Sequence, residues 1–209
     1  MNIDELDLDN LEERISLAKD KDNCVVSIIN TTPKIIDTIE DLCPDYRAFH
    51  IVRDPRELLI SCYFDHRDSH PTSCSIWHWP ELELTKQRLN ELSEVDGVLF
   101  EMQHIFDKIM QVQYNALLPK LDPQKVMTMK IEDFIKTPLE SLQAIMRFLN
   151  VDTTNSDLEK IINNGRRHKT KSKPGGWEDV ATPIVEELFY SRYKQILTNF
   201  GYPNGSYIE

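Results

Sequence analysis

Apolar residues recur along this chain in two periods, and the points where the period changes divide it into elements. Leu8, Leu11, Ile15 and Ala18 fall at helical spacing within residues 4–22, with acids between them, which predicts a short amphipathic helix. Cys24-Val25-Val26-Ser27-Ile28-Ile29 is apolar almost throughout, as a strand buried on both faces should be. Thr32-Pro33 then marks a helix start, with Thr32 as cap and Pro33 in the first turn. Ile35, Ile36, Ile39 and Leu42 give that helix an apolar face, and Pro44 ends it. A second strand is predicted near 48–52. The order strand, helix, strand predicts a parallel pair with a right-handed crossover.

The second strand runs into a helix. Asp54 can cap it, Pro55 fits its first turn, and Glu57 stands three residues after the cap, where a capping box places it. Leu58, Leu59, Cys62 and Phe64 supply its apolar surface. Residues 65–72 are polar. His66 and His70 stand at helical spacing there, but no third metal ligand is evident, and we expect no metal site. Ile76-Trp77-His78-Trp79-Pro80 reads either as a loop packed under its own aromatics or as the wall of an acceptor pocket.

Residues 80–118 are expected to be mostly helical. Gly97 is expected to break them into Glu81–Leu92 and Val98–Leu118, with Phe100, Ile105, Ile109, Val112 and Leu117 inward. Glu101 and His104 read as a surface pair. A third strand is predicted over 125–131, then a helix opened by the capping box Thr137-Pro138-Leu139-Glu140. Leu142, Ile145, Met146 and Leu149 form its buried stripe. The last helix opens at Thr182-Pro183, turns Leu188, Phe189, Tyr193 and Leu197 inward, and stops at Gly201. The pattern predicts one α/β domain over residues 1–209: an acidic helix to residue 22, then a core from 24 to 203 with a short parallel sheet flanked by helices.

Composition narrows the possible partners. The chain has 209 residues, and a net charge of −11 argues against a general nucleic-acid or anionic-membrane surface. No apolar run approaches the length of a membrane span, and the acidic start lacks the order of a signal peptide. Cys24, Cys43, Cys62 and Cys74 are widely spaced, which reads as reduced thiols in a cytoplasmic protein. Against this acidic background Arg166-Arg167-His168-Lys169-Thr170-Lys171-Ser172-Lys173 is a basic cluster. It reads as a solvated loop or as a second face of an anion site.

Arg53 stands at the joint of strand and helix. Ligands in open α/β sheets bind beyond the carboxyl ends of strands, and a helix N-terminus beside an arginine attracts anions. Asp54 complicates this, because its carboxylate can occupy the cap. A plain structural pairing of arginine and carboxylate therefore stands beside the anion site.

Arg53-Asp54-Pro55-Arg56-Glu57, then Ser61, Tyr63 and Phe64, resembles the nucleotide-binding segment of the sulfotransferase family, enzymes that use 3′-phosphoadenosine 5′-phosphosulfate. In that family the matching Arg and Ser hold the 3′-phosphate, which implies that role for Arg53 and Ser61. The chemistry suits it, since a guanidinium forks a phosphate and a hydroxyl adds a donor. Glu132-Asp133 and Phe148-Leu149-Asn150-Val151 resemble the family's Tyr-Glu-Asp and Phe-Leu-Gly-Val, with Ile131 at the tyrosine position and Asn150 at the glycine. Lys171, Gly175 and Trp177 match the segment that closes the family's nucleotide site, and neighbouring lysines can substitute electrostatically, though without bidentate geometry, so Lys169, Lys171 and Lys173 are expected to face the nucleotide. The resemblance implies a fold similar to the P-loop NTPases and sulfuryl transfer to a hydroxyl or amine of a small-molecule or carbohydrate acceptor.

Part of the family pattern has no counterpart. The family's 5′-phosphosulfate loop, Pro-Lys-Ser-Gly-Thr-Thr, needs glycine, and the first glycine here is Gly97. No His or carboxylate follows residues 25–29 at the position of the family's catalytic base. The expected fold is thus N-terminally truncated, and a degenerate, non-catalytic domain binding a nucleotide or a partner protein stands as the alternative.

Overall fold

A computed structural model describes residue 13 and residues 32–73, 79–167 and 176–203. Helix α1 (Pro33–Leu42) begins as its residues dictate, with the Thr32 hydroxyl accepting from the Ile35 N–H at 3.4 Å and Pro33 in the first turn. Ile35 and Ile36 are buried. Strand β1 (Ala48–Val52) follows, and β2 (Val126–Lys130) lies parallel to it, with Ala48 opposite Val126 and Val52 opposite Lys130. These are the second and third predicted strands; the one expected at 24–29, the helix before it, Cys24, Cys74 and Trp77 lie outside the described residues. The fold is mostly helical with a short parallel sheet.

Between the strands run α2 (Pro55–Phe64), a π-helical segment over residues 65–69, α3 (Pro80–Glu91), α4 (Glu94–Gln103) and α5 (Ile105–Ile109). A second π-helical segment covers residues 110–117. After β2 come α6 (Ile131–Lys136), α7 (Pro138–Phe148), α8 (Asn155–Arg167), α9 (Trp177–Val180) and α10 (Pro183–Asn199).

The described residues group into two compact units. One holds the residues up to Arg53 and those from Asn115 to α8. The other holds Asp54 to Tyr114 and the residues from Gly176 onward. In the first unit Leu142 and Ile145 of α7 are buried. In the second the core is built from Leu59 and Tyr63 of α2, Leu82 and Leu89 of α3, Val98 and Met102 of α4, and Phe189, Tyr193 and Leu197 of α10.

Four sequence expectations are corrected. Gly97 does not break a helix; it lies buried inside α4, and the break falls at Leu92-Ser93, where the Ser93 hydroxyl accepts from the Asp96 N–H at 3.2 Å. A Cβ on Gly97 would meet Cε2 of Tyr63 at 2.7 Å, so the glycine serves close helix approach. Residues 98–118 are not one helix, because the chain turns at His104 and winds into the π segment; that shift leaves Val112 39 % exposed and buries Tyr114 instead. The capping box at Thr137 does not form: the Thr137 hydroxyl donates to Asp133 O at 3.4 Å and makes no cap bond. Last, Glu101 and His104 are no surface pair, as described below.

At Asn150 φ is 57°, in the left-handed region. The Val151 N–H reaches Met146 O at 2.9 Å, so α7 ends in a Schellman-type turn. Asparagine tolerates this conformation better than other side chains, which explains how it stands where the family's ending has glycine. Gly201, at φ 61°, takes the same role after α10.

Candidate functional site

The joint after β1 is built from adjacent residues. Asp54 caps α2, its Oδ1 accepting from the Arg56 N–H at 2.9 Å. The same carboxylate is forked by the Arg56 guanidinium, Nε to Oδ1 at 3.0 Å and Nη2 to Oδ2 at 2.6 Å. Arg56 is 1 % exposed and Asp54 8 %. Nη1 of Arg56 donates to the Tyr190 hydroxyl of α10 at 3.4 Å. The helix N-terminus is thereby neutralised by the chain's own carboxylate, and Arg56 is the arginine of the structural pairing.

Glu57 serves a distant residue, not only its own helix end. Its Oε1 accepts from the Trp177 backbone N–H at 3.0 Å. Trp177 is buried against Phe189, with ring centroids 4.9 Å apart. A Cβ at Gly176 would lie 3.2 Å from Glu57 Oε1, so glycine lets the chain approach that carboxylate. A cleft of about 240 Å³ opens here, lined by Asp54, Arg56, Glu57, Trp177, Glu178 and Asp179. With Gly176 the lining is seven residues, four of them acids, so the cleft itself does not favour an anion.

The expected site residues are placed as follows. Arg53 is half-buried directly after β1 and closes the first unit. Ser61 lies exposed on α2 in the second unit. Lys169, Lys171 and Lys173 lie outside the described residues.

One cluster in the second unit escaped the sequence reading. Glu101 of α4 is 0 % exposed, and its Oε1 lies 2.9 Å from Nδ1 of His66, itself 5 % exposed in the π segment. The other oxygen, Oε2, is buried with no hydrogen-bond partner among the described residues. His70 and Trp79 set their rings edge-on to His66, at 5.6 and 6.1 Å between centroids. His104 instead stacks on Phe100 at 3.9 Å and stays exposed, its Nδ1 lying 2.7 Å from Phe100 O. The signal missed was the π turn. It rotates His66 away from the position that helical counting assigns and points it at a helix 35 residues on. No group of three or more metal-ligating side chains occurs among the described residues.

Burial also shifts two titrating groups elsewhere. The Tyr193 hydroxyl donates to Asp107 Oδ1 at 2.8 Å, and burial, with that carboxylate, raises its pKa well above the ordinary range. His50 on β1 is pushed below the ordinary histidine value by burial, and its Nδ1 has no partner among the described residues.

A family model described as a sulfotransferase domain matches residues 9–183. Among solved structures, mouse sulfotransferase SULT7A1 complexed with PAP is similar at a TM-score of 0.46 and 18 % identity, over 78 % of this chain. The chain spans 61 % of the length of that mouse protein. No curated protein matches significantly. No helix among the described residues is long and apolar enough to cross a membrane.

Proposed function

The chain belongs to the sulfotransferase family, and on that premise we propose that it binds 3′-phosphoadenosine 5′-phosphosulfate and transfers its sulfuryl group to a small-molecule or carbohydrate acceptor. The observation that carries the reading is the family match over residues 9–183, which takes in the Arg53-to-Ser61 segment. Arg53 and Ser61 bind the 3′-phosphate. Arg56 is committed to Asp54, so the arginine role falls to Arg53. Lys169, Lys171 and Lys173 add positive charge toward the same nucleotide. A hydroxyl or amine of the acceptor attacks sulfur, the bond from sulfur to the 5′-phosphate oxygen breaks, and adenosine 3′,5′-bisphosphate leaves with that electron pair. A cytoplasmic setting belongs to the same reading, supported by the wide spacing of the four cysteines.

Calorimetric titration with adenosine 3′,5′-bisphosphate tests the binding half. Ser61→Ala should weaken binding about tenfold, the worth of one hydrogen bond to a charged group. Neutralising the three lysines together should weaken it more at low salt than at high salt. Transfer of radiolabel from the phosphosulfate then separates an enzyme from a domain that only binds. An unsubstituted chain that binds no bisphosphate overturns the reading.

A further inference from the structure

We propose that His66 is the proton-accepting group for the sulfuryl acceptor and that Glu101 is its positioning residue; this rests on the sulfotransferase reading above. The chain has no His or carboxylate after residues 25–29, where the family's base is expected. The second unit supplies a built alternative.

A carboxylate with no exposure is costly unless something compensates it. Glu101 is 0 % exposed, yet His66 is its hydrogen-bond partner among the described residues and Oε2 has none. A core selected for stability alone would satisfy or replace such an oxygen. The retained arrangement does something more specific. With Oε1 at 2.9 Å, Glu101 accepts the proton of Nδ1 and fixes the ring's tautomer and orientation. Nε2 is then left with its lone pair. A base held by a third group is the recurring layout of activated proton transfer.

Two rings flank His66. Trp79 and His70 stand edge-on to the His66 ring, giving an aromatic wall beside an imidazole. His70 Nδ1 lies 2.8 Å from Pro71 O, and Lys86 of α3 donates to the carbonyls of Asp68 and His70, which ties down the chain on both sides of that ring. Among the described residues, Glu101 on α4 bonds to His66, His70 in the turn after the π segment lies against its ring, and Lys86 on α3 holds the backbone beside it. In the step itself, the acceptor O–H gives its proton to Nε2 as its oxygen bonds to sulfur. The bond from sulfur to the 5′-phosphate oxygen breaks, and the bisphosphate takes those electrons. His66 then carries the proton until solvent removes it, with Glu101 facing the transient imidazolium.

The test uses the full chain, adenosine 3′,5′-bisphosphate as the binding probe, and the phosphosulfate with water as the acceptor. Nitrogen NMR of labelled histidine should show His66 as the Nδ1–H tautomer. His66→Gln should lower phosphosulfate cleavage at least a hundredfold, the usual range for a lost general base, while bisphosphate affinity holds. Glu101→Gln should lower kcat rather than raise KM, shift the acid limb of the pH–rate profile, and be partly rescued by Glu101→Asp. Thermal melts identify any variant that fails to fold, and the tautomer reading on the unsubstituted chain stands without them. An Nε2–H tautomer overturns the proposal. Cleavage by His66→Gln at the unsubstituted rate and pH profile overturns it too, with the sulfotransferase reading intact. Bisphosphate binding without any cleavage leaves only a binding domain and likewise overturns it. Absent bisphosphate binding sinks the proposed nucleotide-dependent function, and this inference with it.

Discussion

Two buried carboxylates, each paired with a nitrogen base, lie at opposite ends of α2, and the pairs are built differently. At its start, Asp54 and Arg56 are two residues apart, and the carboxylate meets a cap N–H and two guanidinium donors. Beyond its end, His66 and Glu101 are 35 residues apart, joined by one 2.9 Å hydrogen bond, with a buried oxygen left over. The first pair closes on itself and fixes where the helix begins. The second leaves a buried carboxylate oxygen without a hydrogen-bond partner among the described residues. Saturated pairs support structure, whereas incompletely saturated buried pairs are where a site with a chemical task is expected.

The largest expected effect comes from breaking the saturated pair. Arg56→Met should cost about 3–5 kcal/mol in urea denaturation, because Asp54 keeps a buried charge without its counter-ion. Glu101→Gln should cost only about 1 kcal/mol, since it removes a charge that was half-satisfied from the start. Equal costs would erase the contrast between the two ends.

Glu57→Ala is the next in size. It removes the acceptor of the Trp177 N–H, and we expect a loss of about 1.5–3 kcal/mol in the same assay, the range for hydrogen bonds to charged groups. Glu57→Gln keeps an acceptor oxygen and should recover part of that loss. Gly97→Ala should cost about 1–3 kcal/mol by pushing Tyr63 aside, and nothing if the helix simply slides.

Much of this was legible before any coordinates. The caps at Thr32 and Asp54, both described strands and the last helix follow from local chemistry, since capping and period depend on residues a few positions apart. The π turns did not follow, because nothing in periodicity announces an extra residue per turn. The segment over 110–117 misplaced Val112, and the one over 65–69 hid the link between His66 and Glu101. Gly97 misled for another reason: the glycine answers a ring on a neighbouring helix, and sequence spacing carries no trace of that contact. At the joint after β1, Asp54 was legible as a competitor for the cap. That Arg56 forks the Asp54 carboxylate became visible only in the side-chain geometry.

The smallest expected effect concerns His50, a half-buried histidine whose Nδ1 has no hydrogen-bond partner among the described residues. Its pKa is depressed by burial, so the folded state favours the neutral ring. The stability this represents is present above the ordinary histidine value near 6.5 and is lost as pH falls below it. Urea midpoints at pH 7.5 and 5 should therefore differ less in His50→Leu than in the unsubstituted chain. An unchanged difference would show that other groups set the acid response.

The central claim is a division of labour between two arginines three residues apart: Arg56 holds the fold and Arg53 meets the nucleotide. Titrating adenosine 3′,5′-bisphosphate into Arg53→Ala tests it most directly. The account predicts a melting temperature within a degree or two of the unsubstituted chain and binding weaker by about a hundredfold, the usual cost of deleting one partner of a charge-assisted pair. Retained affinity in Arg53→Ala, on a chain that binds the bisphosphate, would contradict it.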